Sequence, residues 1–151
     1  YGDINHVFAG VLRTAATVVT YDPIFGSIVF GGLLRLEADR YSVVPRDGAR
    51  RRLHFLVGRH RFHLLLKANG FKESEPIVLQ RDLDRVEFNV ERRSKTVAGG
   101  AFEISGLPDG KYAVQVDGRQ IRAFTSSSGA EYKFRYKLKE GADGRVTIER
   151  L

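Results

Sequence analysis

The chain has 151 residues, with 25 Lys and Arg against 18 Asp and Glu, a formal net charge of +7, and neither cysteine nor methionine. A single domain, most often roughly 100–150 residues, accounts for that length. The balance of 42% hydrophobic and 28% charged residues is that of a globular protein rather than a disordered one. Zero cysteines exclude disulfides, thiolate nucleophiles, cysteine-ligated zinc and iron–sulfur clusters.

No apolar run reaches the roughly 18–20 residues that cross a bilayer as a helix, so no membrane partner is expected. The N-terminus has no basic region followed by a continuous apolar core, the pattern of a secretory signal. With no initiator methionine, the chain reads as one piece of a longer protein. Absence of cysteine is compatible with secretion or a cell-surface location.

The first segment has a helical period. Asp3 is placed to cap it, and Ile4, Val7, Phe8, Val11, Leu12, Ala15, Val18 and Val19 recur at spacings of three and four. The Asp22-Pro23 pair stops it. Residues 1–22 are therefore expected as an amphipathic α-helix, either a junction to an upstream domain or an element packed on the rest of the chain.

Beyond Pro23 the period changes to two. Ile28–Phe30, Leu33–Ala38, Arg40–Val44, Arg51–Val57, His60–Lys67, Ile77–Gln80, Arg85–Glu91, Ala101–Ile104, Tyr112–Val116, Gln120–Phe124, Glu131–Lys139 and Arg145–Glu149 read as strands between turn residues. The expected fold is mainly β: an antiparallel sandwich of about ten strands over residues 23–151, with the one N-terminal helix.

Turn chemistry sets the register of two hairpins. Asp117-Gly118 is a type I′ dipeptide, which pairs Val116 with Arg119 and Val114 with Ile121. Tyr112, Val114 and Val116 then face the core, and Lys111, Ala113 and Gln115 face away. Gly58-Arg59 suits a type II′ turn, which puts Phe55 opposite Phe62 and Leu53 opposite Leu64 as a core face. The other face carries Arg52, His54, Arg61 and His63, with the histidines opposite each other.

Facing histidines on adjacent strands could ligate a metal. Arg52 and Arg61 beside them repel a cation, however, and a structural metal wants about four ligands. No metal and no cofactor is expected. A contact to an anion, such as a uronate or sulfate of a glycan, competes with a merely solvated sheet face. No Gly-x-Ser-x-Gly elbow occurs, and the Gly-x-x-Gly stretches lack the strand–loop–helix context of a phosphate site. Glu37, Asp39, Asp82, Asp84 and Glu87 are the carboxylates available for a glycosidase pair, and none stands out from the 18 acids. No catalytic residue is assigned.

Arginine and lysine concentrate at Arg50-Arg51-Arg52 with Arg59 and Arg61, and again at Lys133, Arg135, Lys137 and Lys139. In the second stripe the cations alternate with Tyr132, Phe134, Tyr136 and Leu138, so all four lie on one face of a strand. Such a face can bind nucleic acid or acidic polysaccharide, or it can be a solvated edge on which lysines discourage aggregation. The interleaved aromatics point into the core and are not free to stack on bases, which places nucleic acid behind carbohydrate.

The segments Tyr21-Asp22-Pro23-Ile24-Phe25-Gly26-Ser27-Ile28-Val29-Phe30-Gly31-Gly32 and Val44-Pro45-Arg46-Asp47-Gly48-Ala49-Arg50-Arg51-Arg52 are similar to the C-terminal region of a group of large bacterial proteins. Members join β-sandwich regions to an α/α-toroid, in the manner of many glycoside hydrolases and polysaccharide lyases. Gly106-Leu107-Pro108-Asp109-Gly110-Lys111-Tyr112 is similar to a turn of β-sandwich modules in carbohydrate-active proteins. The resemblance implies a non-catalytic C-terminal module that supports an upstream catalytic domain, or a second chain of the same protein. If that module touches acidic carbohydrate, the hairpin face points to Arg52, His54, Arg61 and His63 as the contacts. Two alternatives stand beside it: a polyanion-binding module using the Lys133–Lys139 stripe, and an oligomerisation domain that buries the Ile4–Val19 face.

Overall fold

The computed structural model describes residues 10–14, 17–22, 27–46, 50–93, 99–139 and 143–151, with backbone alone up to Ser27. The described residues form fifteen strands: β1 Gly10–Thr14, β2 Thr17–Asp22, β3 Ser27–Phe30, β4 Gly32–Leu36, β5 Arg40–Pro45, β6 Arg52–Leu56, β7 Phe62–Leu66, β8 Gly70–Phe71, β9 Ile77–Gln80, β10 Arg85–Glu91, β11 Gly99–Ser105, β12 Gly110–Val116, β13 Arg119–Ser126, β14 Glu131–Lys137 and β15 Gly144–Arg150. One antiparallel sheet has seven strands in the order β1-β2-β3-β6-β7-β11-β14. The other has eight, ordered β13-β12-β15-β10-β9-β5-β4, with β8 also paired to β10.

The expected count of about ten strands is corrected to fifteen: every segment read as a strand is one, and three further strands, β1, β2 and β8, join them. The two-residue β8 is too short for a period to show. The helix expected over residues 1–22 is corrected where the chain is described: Gly10–Thr14 and Thr17–Asp22 are an antiparallel hairpin, and β2 continues onto β3 with Val19 opposite Phe30. Residues 1–9, with Asp3, Ile4 and Val7, lie outside the described residues. The cause is the side-chain composition. Val11, Thr14, Thr17, Val18, Val19 and Thr20 are β-branched, stiff at χ1 and suited to a pleated surface, and β3 offers an edge on which to pair them. A helical face running from Ile4 to Val19 is therefore absent over its described half.

The sheets meet in one core. Val29, Leu53, Phe55, Phe62, Leu64, Phe102 and Ile104 from the first face Leu34, Val43, Leu79, Val86, Phe88, Val114 and Ile148 from the second, all buried. Aromatic rings cross the interface edge to face: Phe88 packs on Phe102 with centroids 5.6 Å apart, and Tyr41 on Phe55 at 5.1 Å. Burying roughly 150–250 Å² per aromatic ring, these residues supply much of the hydrophobic drive.

Two glycines mark where the chain switches sheets. Gly31 joins β3 to β4 with φ 107°, and a Cβ there would stand 2.2 Å from the Arg52 carbonyl oxygen. Gly106 opens the turn from β11 to β12 with φ 89°, and its Cβ would be 2.0 Å from the Arg61 carbonyl oxygen. The same turn is tied by Tyr112, whose hydroxyl donates to the Pro108 carbonyl at 2.8 Å. A tyrosine bonded back to backbone just upstream is a recurrent corner device of sandwich folds.

Candidate anion-binding site

The β6–β7 hairpin has the register its turn dictates. Leu53 is opposite Leu64, Phe55 opposite Phe62 and His54 opposite His63. Gly58 has φ 59°, and the His60 amide closes the turn onto the Val57 carbonyl at 2.9 Å. His54 Nδ1 and His63 Nδ1 lie 2.8 Å apart on the outer face of the seven-stranded sheet. Burial, then the neighbouring His63 and Arg52, push the His54 pKa below its usual 6.5.

Arg52 is on this face with the histidines, but Arg61 is not presented to them. Its guanidinium bends back to donate to the Gly58 and His60 carbonyls at 2.9 and 2.7 Å. The cluster Arg50-Arg51-Arg52 is likewise dispersed by the fold. Arg50 pairs with Glu91 at 2.6 Å and donates to the Phe71 carbonyl, while Arg51 donates to the Asn69 carbonyl at 2.9 Å. Of Arg52, His54, Arg61 and His63, the first, second and fourth therefore share one patch, and Arg61 is engaged by its own turn.

The second stripe is arranged as the alternation requires. Phe134, Tyr136 and Leu138 are buried and Tyr132 half-buried, whereas Lys133, Arg135, Lys137 and Lys139 are exposed. Strand β14 is the edge of its sheet, and β13 is the edge of the other. Phe124 of β13 packs on Tyr132 and Phe134 of β14, both at 5.0 Å, which closes one end of the gap between these edges.

Toward the other end the gap opens into a cleft of about 840 Å³. Arg119, Arg135, Lys137 and Lys139 line it, Val116, Ile121, Tyr136 and Leu138 give it an apolar wall, and Asp117 is its one carboxylate among the described residues. Asp117 is committed to the Arg145 backbone amide at 3.0 Å. A smaller recess of about 410 Å³ continues along Arg122, Lys133 and Arg135. Among the described residues, no carboxylate forms an ion pair with Arg119, Arg122, Arg135, Lys137 or Lys139.

Lys133 differs. With Lys67 it holds Glu103, at 3.4 and 3.3 Å respectively. Partial desolvation works against ionisation of Glu103, but the two ammonium groups outweigh it and keep its pKa below the usual carboxylate value.

Arg119, Arg122 and Ile121 were not singled out by the sequence, although a signal exists. Arg119-Gln120-Ile121-Arg122-Ala123 holds a single large apolar residue and so no alternating apolar face, and all five are exposed, as on a strand that covers nothing. The register there also departs from a plain hairpin. Asp117 and Gly118 take the positive φ values, 52° and 83°, of a type I′ turn, and Val116 pairs with Arg119. A bulge then shifts Val114 from Ile121 to Arg122, leaving Ile121 37% exposed at the cleft. Tyr112, Val114 and Val116 are buried and Lys111 exposed as expected, but Ala113 is buried too.

Elsewhere several charged groups are already engaged. A cleft of about 900 Å³ at the turn end holds Arg61, Arg81 and Arg150. Arg81 donates to the Glu37 carbonyl at 2.6 Å and Arg150 to the Asp109 carbonyl at 2.7 Å, while His60 is bonded to the Arg81 carbonyl at 2.7 Å. Of the carboxylates, Glu37 and Asp39 pair with Arg40, and Glu87 with Arg145. Burial, then a hydrogen bond and charge from Asp82, raise the Asp84 pKa. Those two carboxyls touch each other rather than flank a space for a glycosidic bond.

No protein-family model, no curated protein and no solved structure matches the chain.

Proposed function

We propose that the chain is a non-catalytic β-sandwich module, C-terminal in a glycan-processing protein, that supports the catalytic part and holds acidic carbohydrate along the open edge between β13 and β14. One observation carries the reading: Arg119, Arg122, Arg135, Lys137 and Lys139 converge on that gap with no acidic partner among the described residues. Carboxylate or sulfate groups would meet charge-assisted hydrogen bonds, with Arg135 able to bind both oxygens of one group. The C–H faces of the sugar rings would lie against Ile121 and Leu138. Because Phe134 and Tyr136 are buried, the edge offers charge rather than ring stacking, which favours acidic over neutral glycans and over single-stranded nucleic acid.

The test is a titration of the chain with an acidic polysaccharide, a neutral one and single-stranded DNA, with and without the double substitution Arg135→Glu and Lys137→Glu. The acidic polysaccharide is expected to bind saturably, about tenfold or more weaker at about 200 mM than at about 50 mM salt. The substitutions should cost at least about tenfold, since they replace two attractions by two repulsions. Equal affinity for DNA would move the reading to a generic polyanion module. Unchanged affinity in the double variant would remove the cleft from it.

A further inference from the structure

The histidine pair lies outside that cleft, on β6 and β7 of the same sheet, with β11 between β7 and β14. With Nδ1 facing Nδ1 at 2.8 Å, one nitrogen must be bare to accept the other's hydrogen. A first proton can go to the outward Nε2 of the donor ring and leave the bond intact. A second puts hydrogens on both facing nitrogens, which cannot stay at that distance. The rings then part, and two cationic N–H groups point at the space between them.

Among the described residues, the strands packed around the pair place no carboxylate against it. From β3 the pair meets Phe30, whose ring is edge-on to His54 at 6.1 Å. From β6 it meets Arg52. On β7, Arg61 is bent back onto its own turn. From β11, Ser105 stands opposite His63, and Glu103, two residues earlier, is already held by two lysines. Glu131 of β14 is a further strand away, opposite Ser105.

We propose that His54 and His63, with Arg52, form a second anion-binding site, closed while one facing nitrogen is bare and open to a carboxylate or sulfate once both rings are protonated. Partial burial, then the neighbouring His63 and Arg52, favour the neutral form of His54, so the site opens on acidification. An oxyanion inserted between the rings replaces the lost Nδ1–Nδ1 bond by two charge-assisted ones.

The probe is sodium sulfate, titrated into the chain at constant ionic strength while the ring signals of His54 and His63 are followed by NMR. Sulfate should shift both signals saturably, about tenfold or more tighter at about pH 5 than at about pH 7.5, and should raise the pH at which the pair titrates. His54→Gln and His63→Gln, made separately, should each abolish the pH-dependent part, while Arg135→Glu with Lys137→Glu should leave it unchanged. Equal sulfate affinity at both pH values, unmoved ring signals, or binding retained in both glutamine variants would overturn the proposal. Loss of binding in the Arg135/Lys137 variant would assign the sulfate to the cleft and overturn it equally.

Discussion

Tyr112 is held at both ends. Its ring stacks on Phe124 with centroids 5.6 Å apart, and its hydroxyl donates to the Pro108 carbonyl. Burial raises the phenol pKa, so the group stays a neutral donor far above neutral pH. Tyr112→Phe keeps the stacking and leaves the Pro108 carbonyl without this donor. It should destabilise the fold by about 1–2 kcal/mol, read as a lower urea midpoint at unchanged m-value. The leucine, proline, glycine and tyrosine of Leu107–Tyr112 made a turn legible in the sequence. That the tyrosine bonds back across the turn was not, because a hydroxyl's partner depends on where the backbone goes.

At the scale of elements, the hairpins show how far local chemistry reaches. Both two-residue turns form as their dipeptides require, and the β6–β7 pairing agrees residue for residue. In β12–β13 the same logic holds for two pairs, Val116 with Arg119 and Gln115 with Gln120, and then yields to the bulge at Ile121, since no buried face on β13 forces the plain register. The turn from β11 to β12 is more tightly constrained. Gly106→Ala would put a Cβ against backbone at a positive φ, and it should cost more than about 1 kcal/mol in thermal unfolding, beyond any gain in chain entropy. Gly118→Ala is a useful control, because its Cβ would meet nothing within 4 Å although its φ of 83° also strains alanine. The difference between the two variants reports the clash at the sheet-to-sheet crossing.

For the whole molecule, the core couples the two sheets through few large rings. Phe88 is buried in the second sheet and touches Phe71 and Phe102, so Phe88→Ala should cost about 3–5 kcal/mol by equilibrium denaturation. That loss would be felt by both sheets at once. The net charge of +7 is also a whole-molecule quantity, but its distribution is what bears on binding. Arginines at Arg50, Arg61, Arg81 and Arg150 are spent on carbonyls and a carboxylate, whereas Arg119, Arg122 and Arg135 at the two sheet edges face the gap between them. A basic edge also discourages pairing between copies of the chain, so the cations have a second use there.

The sequence by itself determined the β class, the strand positions after Pro23 apart from the two-residue β8, the two turn types and the alternation that exposes Lys133, Arg135, Lys137 and Lys139. These depend on interactions among neighbours in the chain, where a period of two and a glycine at a positive φ leave direct marks. The segment Gly10–Asp22 carries a helical spacing and a β-branched composition together, and only the availability of β3 as a partner decided between them. Tertiary structure alone placed Arg119 and Arg122 across from the β14 stripe, separated Arg61 from the histidines and dispersed Arg50 and Arg51. Which strands become the edges of two sheets is fixed by pairings between distant segments, and a cleft between edges has no local signature to read.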